Sequence, residues 1–446
     1  MNRAQALARI EAALAGRALV WLGKRGEDAR PLLSLGEFAA SFSIMAPIHS
    51  TRVESVSVEG LTGVRDEYYN LDVELRAQGE TFVRRLAAAC IESAVLVAYR
   101  PYGFLSMSQG SIPAARYRGI SRELFKALDR KPDVELGLRH KAGIETVPWT
   151  YVAPGPERLT ALEEAASRGP IVLRKAIGSG GDGLELITGG DELPASVIAT
   201  EEDDIAWSPF LRDYVPVNLG GCVFDDGGVT LHTPSVQLIG LPLCTRLRFS
   251  YCGNDYAAAA LLEPAALDSL ERMSHDAGRW LWGLGYRGAF GLDAMVRGDH
   301  VLFTEINPRF QGSSRPSGYL DQQAGLPDIF LDHVAALLGL ASYRPPPLRE
   351  LARNQPLAHV YCYNYRGRFS VMPPRLTVPE GVTAFLEPAA GVQVGYRSAL
   401  FELEFARRIT TGGMSIDPAA AAAVEQALKQ VQPVDLAPAD ALAGER

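Results

Sequence analysis

Apolar and polar positions along this 446-residue chain switch repeatedly between a helical and a strand period. Residues 2–15 carry apolar side chains at helical spacing and predict an amphipathic helix. Residues 18–22 are a continuous apolar run, a buried strand ending at the turn Gly23-Lys24-Arg25-Gly26. Further strands are predicted at 38–47 and 93–99, with a helix at 73–89 between them and Arg100-Pro101-Tyr102-Gly103 as punctuation. Strands alternating with helices argue for an open α/β unit. A short helical pattern covers 124–128, and Lys131-Pro132-Asp133 opens a second helix, with proline where its missing N–H costs little. Strands at 170–177 and 184–187 flank Gly178-Ser179-Gly180-Gly181-Asp182-Gly183. Asp225-Asp226-Gly227-Gly228 marks a hairpin turn, and 235–243 reads as a strand. Arg246 and Arg248 alternate with Leu247 and Phe249, which predicts a strand with both arginines on one side. Residues 264–283 are helical, 311–318 a polar loop, and 327–340 another helix. After the stiff linker Arg344-Pro345-Pro346-Pro347 come strands at 358–363 and 401–405, a helix near 418–431 and a frayed tail from 433.

One stretch organises the rest. The apolar runs 289–296 and 301–306 flank Arg297-Gly298-Asp299-His300, so a hairpin is predicted. Alternation puts Glu305 and Asn307 on one face, and a three-residue loop at 298–300 sets Asp293 opposite Glu305. A strict two-residue loop shifts the register by one and spoils that pairing. Two carboxylates and an amide oxygen are hard donors, suited to Mg²⁺ held together with substrate phosphates.

Composition narrows the classes. The length predicts several domains, and 47% hydrophobic with 22% charged residues describes a soluble globular protein. A net charge of −8 argues against nucleic acid as partner. Five scattered cysteines without metal-ligand spacing read as core thiols of a reducing compartment. The first residues make a poor signal peptide, and no apolar run approaches the ~20 residues that span a bilayer, so a cytoplasmic protein without membrane contact is expected.

The glycine run satisfies Gly-x-Gly-x-x-Gly, but Leu184–Ile187 and Thr188-Gly189-Gly190 leave no room for the helix that a dinucleotide loop requires. It reads instead as a flap between strands, able to lay backbone N–H groups over phosphates. Phe290-Gly291-Leu292-Asp293, the turn, and Thr304-Glu305-Ile306-Asn307-Pro308-Arg309 then resemble the metal-binding end of the ATP-grasp family. Motifs stand in family order across residues 121–340. The resemblance implies an α/β (α+β) multidomain architecture. Its parts are a Rossmann-like domain at 1–120, a small lobe with the flap at 121–207, a large lobe with the metal site at 208–343 and a C-terminal α+β extension at 344–446.

It further implies that Lys131 and Lys175, with Gly178, Ser179, Gly180 and Gly181, contact the phosphates of ATP. The family often has a proline after the second lysine, where this chain has Ala176. The hinge at 208–215 would hold adenine through Pro209, Phe210 and Leu211. The usual hinge glutamate is not evident, which leaves Asp213 as a weak ribose partner. Asp293, Glu305 and Asn307 are the implied ligands of Mg²⁺ or Mn²⁺. Arg309, Arg287 and Arg246 are the candidate catalytic cations. The expected activity is ATP-dependent joining of a small-molecule carboxylate to an amine through an acyl phosphate, on amino acids or peptides in specialised metabolism. Alternatives are a carboxylate–thiol ligase loading a carrier protein, a small-molecule phosphotransferase and a non-catalytic nucleotide sensor. A biotin carboxylase is disfavoured, because no biotin-accepting Met-Lys-Met string exists. Family members are frequently homodimers.

Overall fold

The computed structural model describes residues 1–66, 77–90, 93–102, 116–178, 180–191, 193, 204–353 and 356–434. The first unit is a five-stranded parallel sheet in the spatial order Glu54–Ser57, Phe38–Met45, Leu19–Arg25, Val95–Ala98, Tyr117–Arg118. Its central strand does not stop at Gly23 as expected. Gly23 and Arg25 pair with Ser43 and Met45, so the strand carries Lys24 and Arg25 to its carboxyl end. The strand order reverses beside that strand, and such a switch point leaves a crevice at the carboxyl ends of a parallel sheet. The helix Arg3–Leu14 is closed by a reciprocal cap between Asn2 and Gln5, and it buries Ala6, Ile10 and Leu14.

An antiparallel four-stranded sheet follows, ordered Thr150–Val152, Ile205–Pro209, Ile171–Lys175, Leu184–Ile187. Leu162 of the helix Arg158–Ser167 packs on Ile171, Leu173, Ile187 and Ile205 to give this lobe its own core. The helix Lys131–Ala142 ends at Gly143, which takes the left-handed conformation with φ of 67°. Residues 145–147 then run along the open edge of the next lobe, where Val147 N–H donates to Phe303 O and Phe303 N–H to Glu145 O, both at 2.9 Å.

The largest sheet has nine antiparallel strands. Its order is His300–Asn307, Gly288–Arg297, Val215–Val223, Ser235–Ile239, Tyr251–Asp255, Ala358–Tyr363, Ala399–Phe405, Val382–Phe385, with Val229–Leu231 attached to Val215–Val223. The helix Pro264–Gly283 covers one part of it with Leu267, Leu270, Ala277 and Leu281. The helix Ile329–Leu337 joins this sheet to the first one: Phe330 stacks on Phe310 at 4.7 Å, and Trp21 meets Phe310 edge-on at 5.4 Å.

Two expectations change here. The boundary placed at 344 does not end a sheet, because three strands beyond the proline-rich linker extend the nine-stranded one. The loop expected over 311–318 becomes the helix Ser314–Gln323 after its first three residues. A last four-stranded sheet, Gln432–Val434, Phe369–Val371, Gln393–Gly395 and Val64–Arg65, recruits a strand from the start of the chain. Buried Arg65 pairs with Glu59 and donates to the carbonyls of Leu386 and Ala399. All five cysteines are buried and unbridged, and among the described residues no helix is long and apolar enough to cross a membrane.

Candidate active site

The organising hairpin forms, but by another route. Arg297 pairs with His300, so the loop has only two residues, Gly298 and Asp299. Continued regularly, that register sets Asp293 opposite Thr304. A bulge at Thr304 absorbs one residue, and Asp293 faces Glu305. Thr304 and Glu305 therefore line the same cleft, and Asn307 follows on that face.

Asp293 sits among amides. Asn218, its direct cross-strand partner, donates to Asp293 Oδ1 at 2.5 Å. Gln237 Nε2 and Gln311 Nε2 reach the same oxygen at 3.1 and 3.2 Å, and Asn307 Nδ2 approaches Oδ2 at 3.3 Å. Withdrawal from water pushes the Asp293 carboxyl up to about 6, and the charge of Glu305 adds to this against the amide bonds from Asn218 and Gln311. Two carboxylates facing each other call for a cation. Among the described residues no cluster of three or more His, Cys, Asp or Glu side chains could hold a metal. The oxygens of Asp293, Glu305 and Asn307 are three hard donors, fewer than the octahedral shell that Mg²⁺ takes, so a cation held there would also need oxygens from phosphate or water.

Glu305 also meets a lysine. Lys131 begins its helix, anchored by its own N–H to Ala176 O at 3.0 Å. Its Nζ lies 3.1 Å from Glu305 Oε1 and 2.7 Å from Gly178 O. Two cavities share Glu305 as a wall.

The first cavity, about 180 Å³, lies between the lobes. Pro209, Phe210 and Leu211 border it with Trp149, Val172 and Met295, and Lys131, Lys175 and Gly178 also line it. Phe210 N–H is held by Pro170 O at 3.0 Å, which fixes the backbone of the hinge. Trp149 is braced by Arg174, whose guanidinium carbon stands 4.0 Å from the ring centroid. Arg174 is in turn held by buried Glu135 at 2.6 Å. The apolar walls suit a flat base, and the lysines suit its phosphates.

The second cavity, about 270 Å³, opens beyond Glu305. Lys24, Arg25 and Tyr99 reach it from the carboxyl ends of the parallel sheet. Tyr251, Tyr361 and Tyr363 line another wall, and Asp293, Asn307 and Arg309 lie toward the hairpin. Arg309 is steadied by the Phe310 carbonyl at 3.0 Å and the Tyr99 hydroxyl at 3.4 Å. Gly180 and Gly181 border this cavity, with the flap seated: Gly181 lies so close to Phe249 O that a Cβ would come within 2.0 Å.

Three of the expected site residues are elsewhere. Arg287 borders neither cavity; it pairs with Asp225 at 2.9 Å and lies over Trp282. Arg246 is exposed on an irregular loop rather than a strand, as is Arg248, and neither lines a cavity. Asp213 is exposed and outside the hinge cavity. Ser179 lies outside the described residues. Sequence reasoning missed Asn218, Gln237 and Gln311. The signal available for the first two was a lone amide inside an apolar strand run, Val215–Val223 and Ser235–Ile239.

No protein-family model matches the chain. Over 202 residues it is 26% identical to the formate-dependent phosphoribosylglycinamide formyltransferase of Mycolicibacterium smegmatis, covering 44% of this chain and 48% of that enzyme. The match thus spans about half the length of this relative. Biotin carboxylase from Campylobacter jejuni, in complex with β-γ-ATP, matches with a TM-score of 0.60 at 14% identity over 93% of this chain and 91% of that one. The biotin carboxylase domain of Hydrogenobacter thermophilus 2-oxoglutarate carboxylase, solved as a dimer with MgADP and bicarbonate, matches with a TM-score of 0.59 at 16% identity over 88% and 86%.

Proposed function

Because the chain has the ATP-grasp fold that these structures share, we propose that it is an ATP-dependent carboxylate–amine ligase releasing ADP and phosphate. The observation that carries this reading is Lys131 Nζ at 3.1 Å from Glu305 Oε1, on the wall common to both cavities. A triphosphate running from the hinge past Lys175 and Lys131 ends at Glu305, and the second cavity begins there.

A carboxylate is a poor acyl donor because its leaving group is oxide. Attack of a carboxylate oxygen on the γ-phosphorus forms a C–O–P anhydride and breaks the bond to the β-phosphate oxygen, which leaves on ADP. The amine lone pair then adds to the acyl carbon, phosphate departs with the C–O electron pair, and the nitrogen loses a proton. Lys131 and Lys175 would neutralise phosphate oxygens, and Arg309 the transferring group or the tetrahedral oxyanion. Mg²⁺ or Mn²⁺, held by Asp293, Glu305 and Asn307, would supply charge neutralisation at the phosphate oxygens. The seated flap keeps water from the acyl phosphate.

The cations Lys24, Arg25, Arg309 and Arg397 around the second cavity favour an acid or amine substrate carrying negative charge, such as an amino acid or short peptide. The relatives lend no support to a place in specialised metabolism or to a carrier-protein partner. A homodimer is part of this reading, supported by the dimeric Hydrogenobacter domain.

The test is ADP release over pairs of amino acids with product mass analysis. Glu305→Gln and Lys131→Met are expected to lose activity by about 100-fold or more while keeping the wild-type circular dichroism spectrum. Full activity in either variant, or no amide from any pair, overturns the reading. Turnover only with a phosphopantetheine thiol moves it to the thiol ligase.

A further inference from the structure

Three amides on the wall of the second cavity form a cage around Asp293. Asn218, Gln237 and Gln311 come from three different segments, yet all aim an NH₂ group at one oxygen, Asp293 Oδ1. Each is itself held or housed. Ser313 Oγ donates to Asn218 Oδ1, and Asn218 Nδ2 also donates to Gln311 Oε1 at 2.8 Å. Gly291 supplies the space for Gln311: a Cβ there would stand 1.8 Å from Gln311 Oε1. A strand residue without a side chain beside a glutamine that fills its place is a second, independent mark of the cage.

An ionised carboxylate oxygen offers about two lone-pair directions, so three amide donors saturate Oδ1. Among the described residues, Oδ2 carries the longer contact from Asn307 at 3.3 Å, which an amide rotation releases. We propose that Asn218, Gln237 and Gln311 are positioning residues that restrict Asp293 to a single available oxygen and thereby select a small octahedral cation. The chemistry is that of size. Mg²⁺ requires one oxygen per vertex at ~2.0–2.1 Å, whereas Ca²⁺ takes six to eight oxygens at ~2.3–2.6 Å and uses bidentate carboxylates. A carboxylate with one oxygen engaged serves the first and under-coordinates the second. The proposal rests on the ligase reading only in its placing of a divalent cation at Asp293, Glu305 and Asn307.

Gln237 is the half-buried member of the cage and the one most open to substitution. The experiment measures Mn²⁺ bound to the full chain with ADP by electron paramagnetic resonance, and its displacement by Ca²⁺, in wild type and in Gln237→Met. Gln311→Leu is the second variant, and apo-protein melting reports folding. Loss of an outer-shell partner should weaken Mn²⁺ about 10-fold or more. Ca²⁺ should then displace Mn²⁺ at a clearly lower Ca²⁺:Mn²⁺ ratio than in wild type. A merely structural role would lower the melting midpoint and leave the Ca²⁺:Mn²⁺ ratio unchanged, and that result overturns the proposal. Absence of Mn²⁺ binding in wild type with ADP sinks the cation site itself, a failure distinct from an unchanged ratio.

Discussion

At the scale of single residues, His333 shows how position decides charge. Its Nδ1 accepts the Ala289 N–H at 2.9 Å, so the ring proton is on Nε2, in a fully buried setting against Phe310 at 4.7 Å. Gly288, with φ of 102°, makes room for it; a Cβ there would lie 2.6 Å from Nδ1. Burial drops the His333 pKa to about 3. Between that value and the ordinary ~6.5, the unfolded chain takes a proton that the folded chain refuses. Stability is therefore lost as pH falls from ~6.5 toward 3 and is untouched above that window. At pH 5 the loss is about 2 kcal/mol, from ~1.5 pH units at ~1.4 kcal/mol each. His333→Asn keeps an acceptor for Ala289 but cannot titrate. Urea denaturation at pH 7 and pH 5 should show a smaller pH-dependent drop in the variant, by about that amount. Equal drops would refute the assignment.

At the scale of elements, the flap and the bulged hairpin bring the site together. Gly181 has φ of 87° and abuts Phe249 O, so Gly181→Ala meets both backbone strain and a collision. The lobes should still fold, because the flap is a surface turn. We expect turnover to fall about 10-fold to 100-fold, and ADP released per amide formed to rise above one as water reaches the acyl phosphate. A one-to-one ratio in a slowed enzyme would show that the flap does not exclude water. The same elements mark what sequence could supply. That Asp293, Glu305, Asn307, Lys131 and Lys175 would share one cleft was legible, because each sits at a fixed step from a glycine, a turn or a proline, and all five line the two adjoining cavities. The bulge was not, since Thr304 looks like any strand residue and the extra step emerges only from pairing. Arg287 was misplaced because its partner, Asp225, lies in a distant hairpin turn. Arg246 was misplaced because alternation over four residues also fits an irregular loop. Asn218, Gln237 and Gln311 converge through sheet order and tertiary packing, which local spacing does not carry.

At the scale of the whole molecule, the sheets bind the chain's ends to its middle. The ATP-grasp fold was legible from motif order, but the continuity of the nine-stranded sheet across residue 344 was not, because the proline-rich linker looks like a boundary. A chain ending at Pro347 would leave Tyr251–Asp255 without its neighbour Ala358–Tyr363 and expose a long sheet edge. That truncation should be aggregated and lack a cooperative melt. A monomeric, cooperatively folding fragment on gel filtration and calorimetry would contradict this.

Arg65 has a consequence in time. Its carbonyl partner Ala399 is 334 positions further on, so translation at about 5–20 residues per second separates them by roughly 15 to 70 seconds. Throughout that interval the nascent chain carries a guanidinium destined for the interior but still wet. The short strand Val64–Arg65 can therefore join Gln393–Gly395 only after most of the chain has been made, and the last four-stranded sheet closes late.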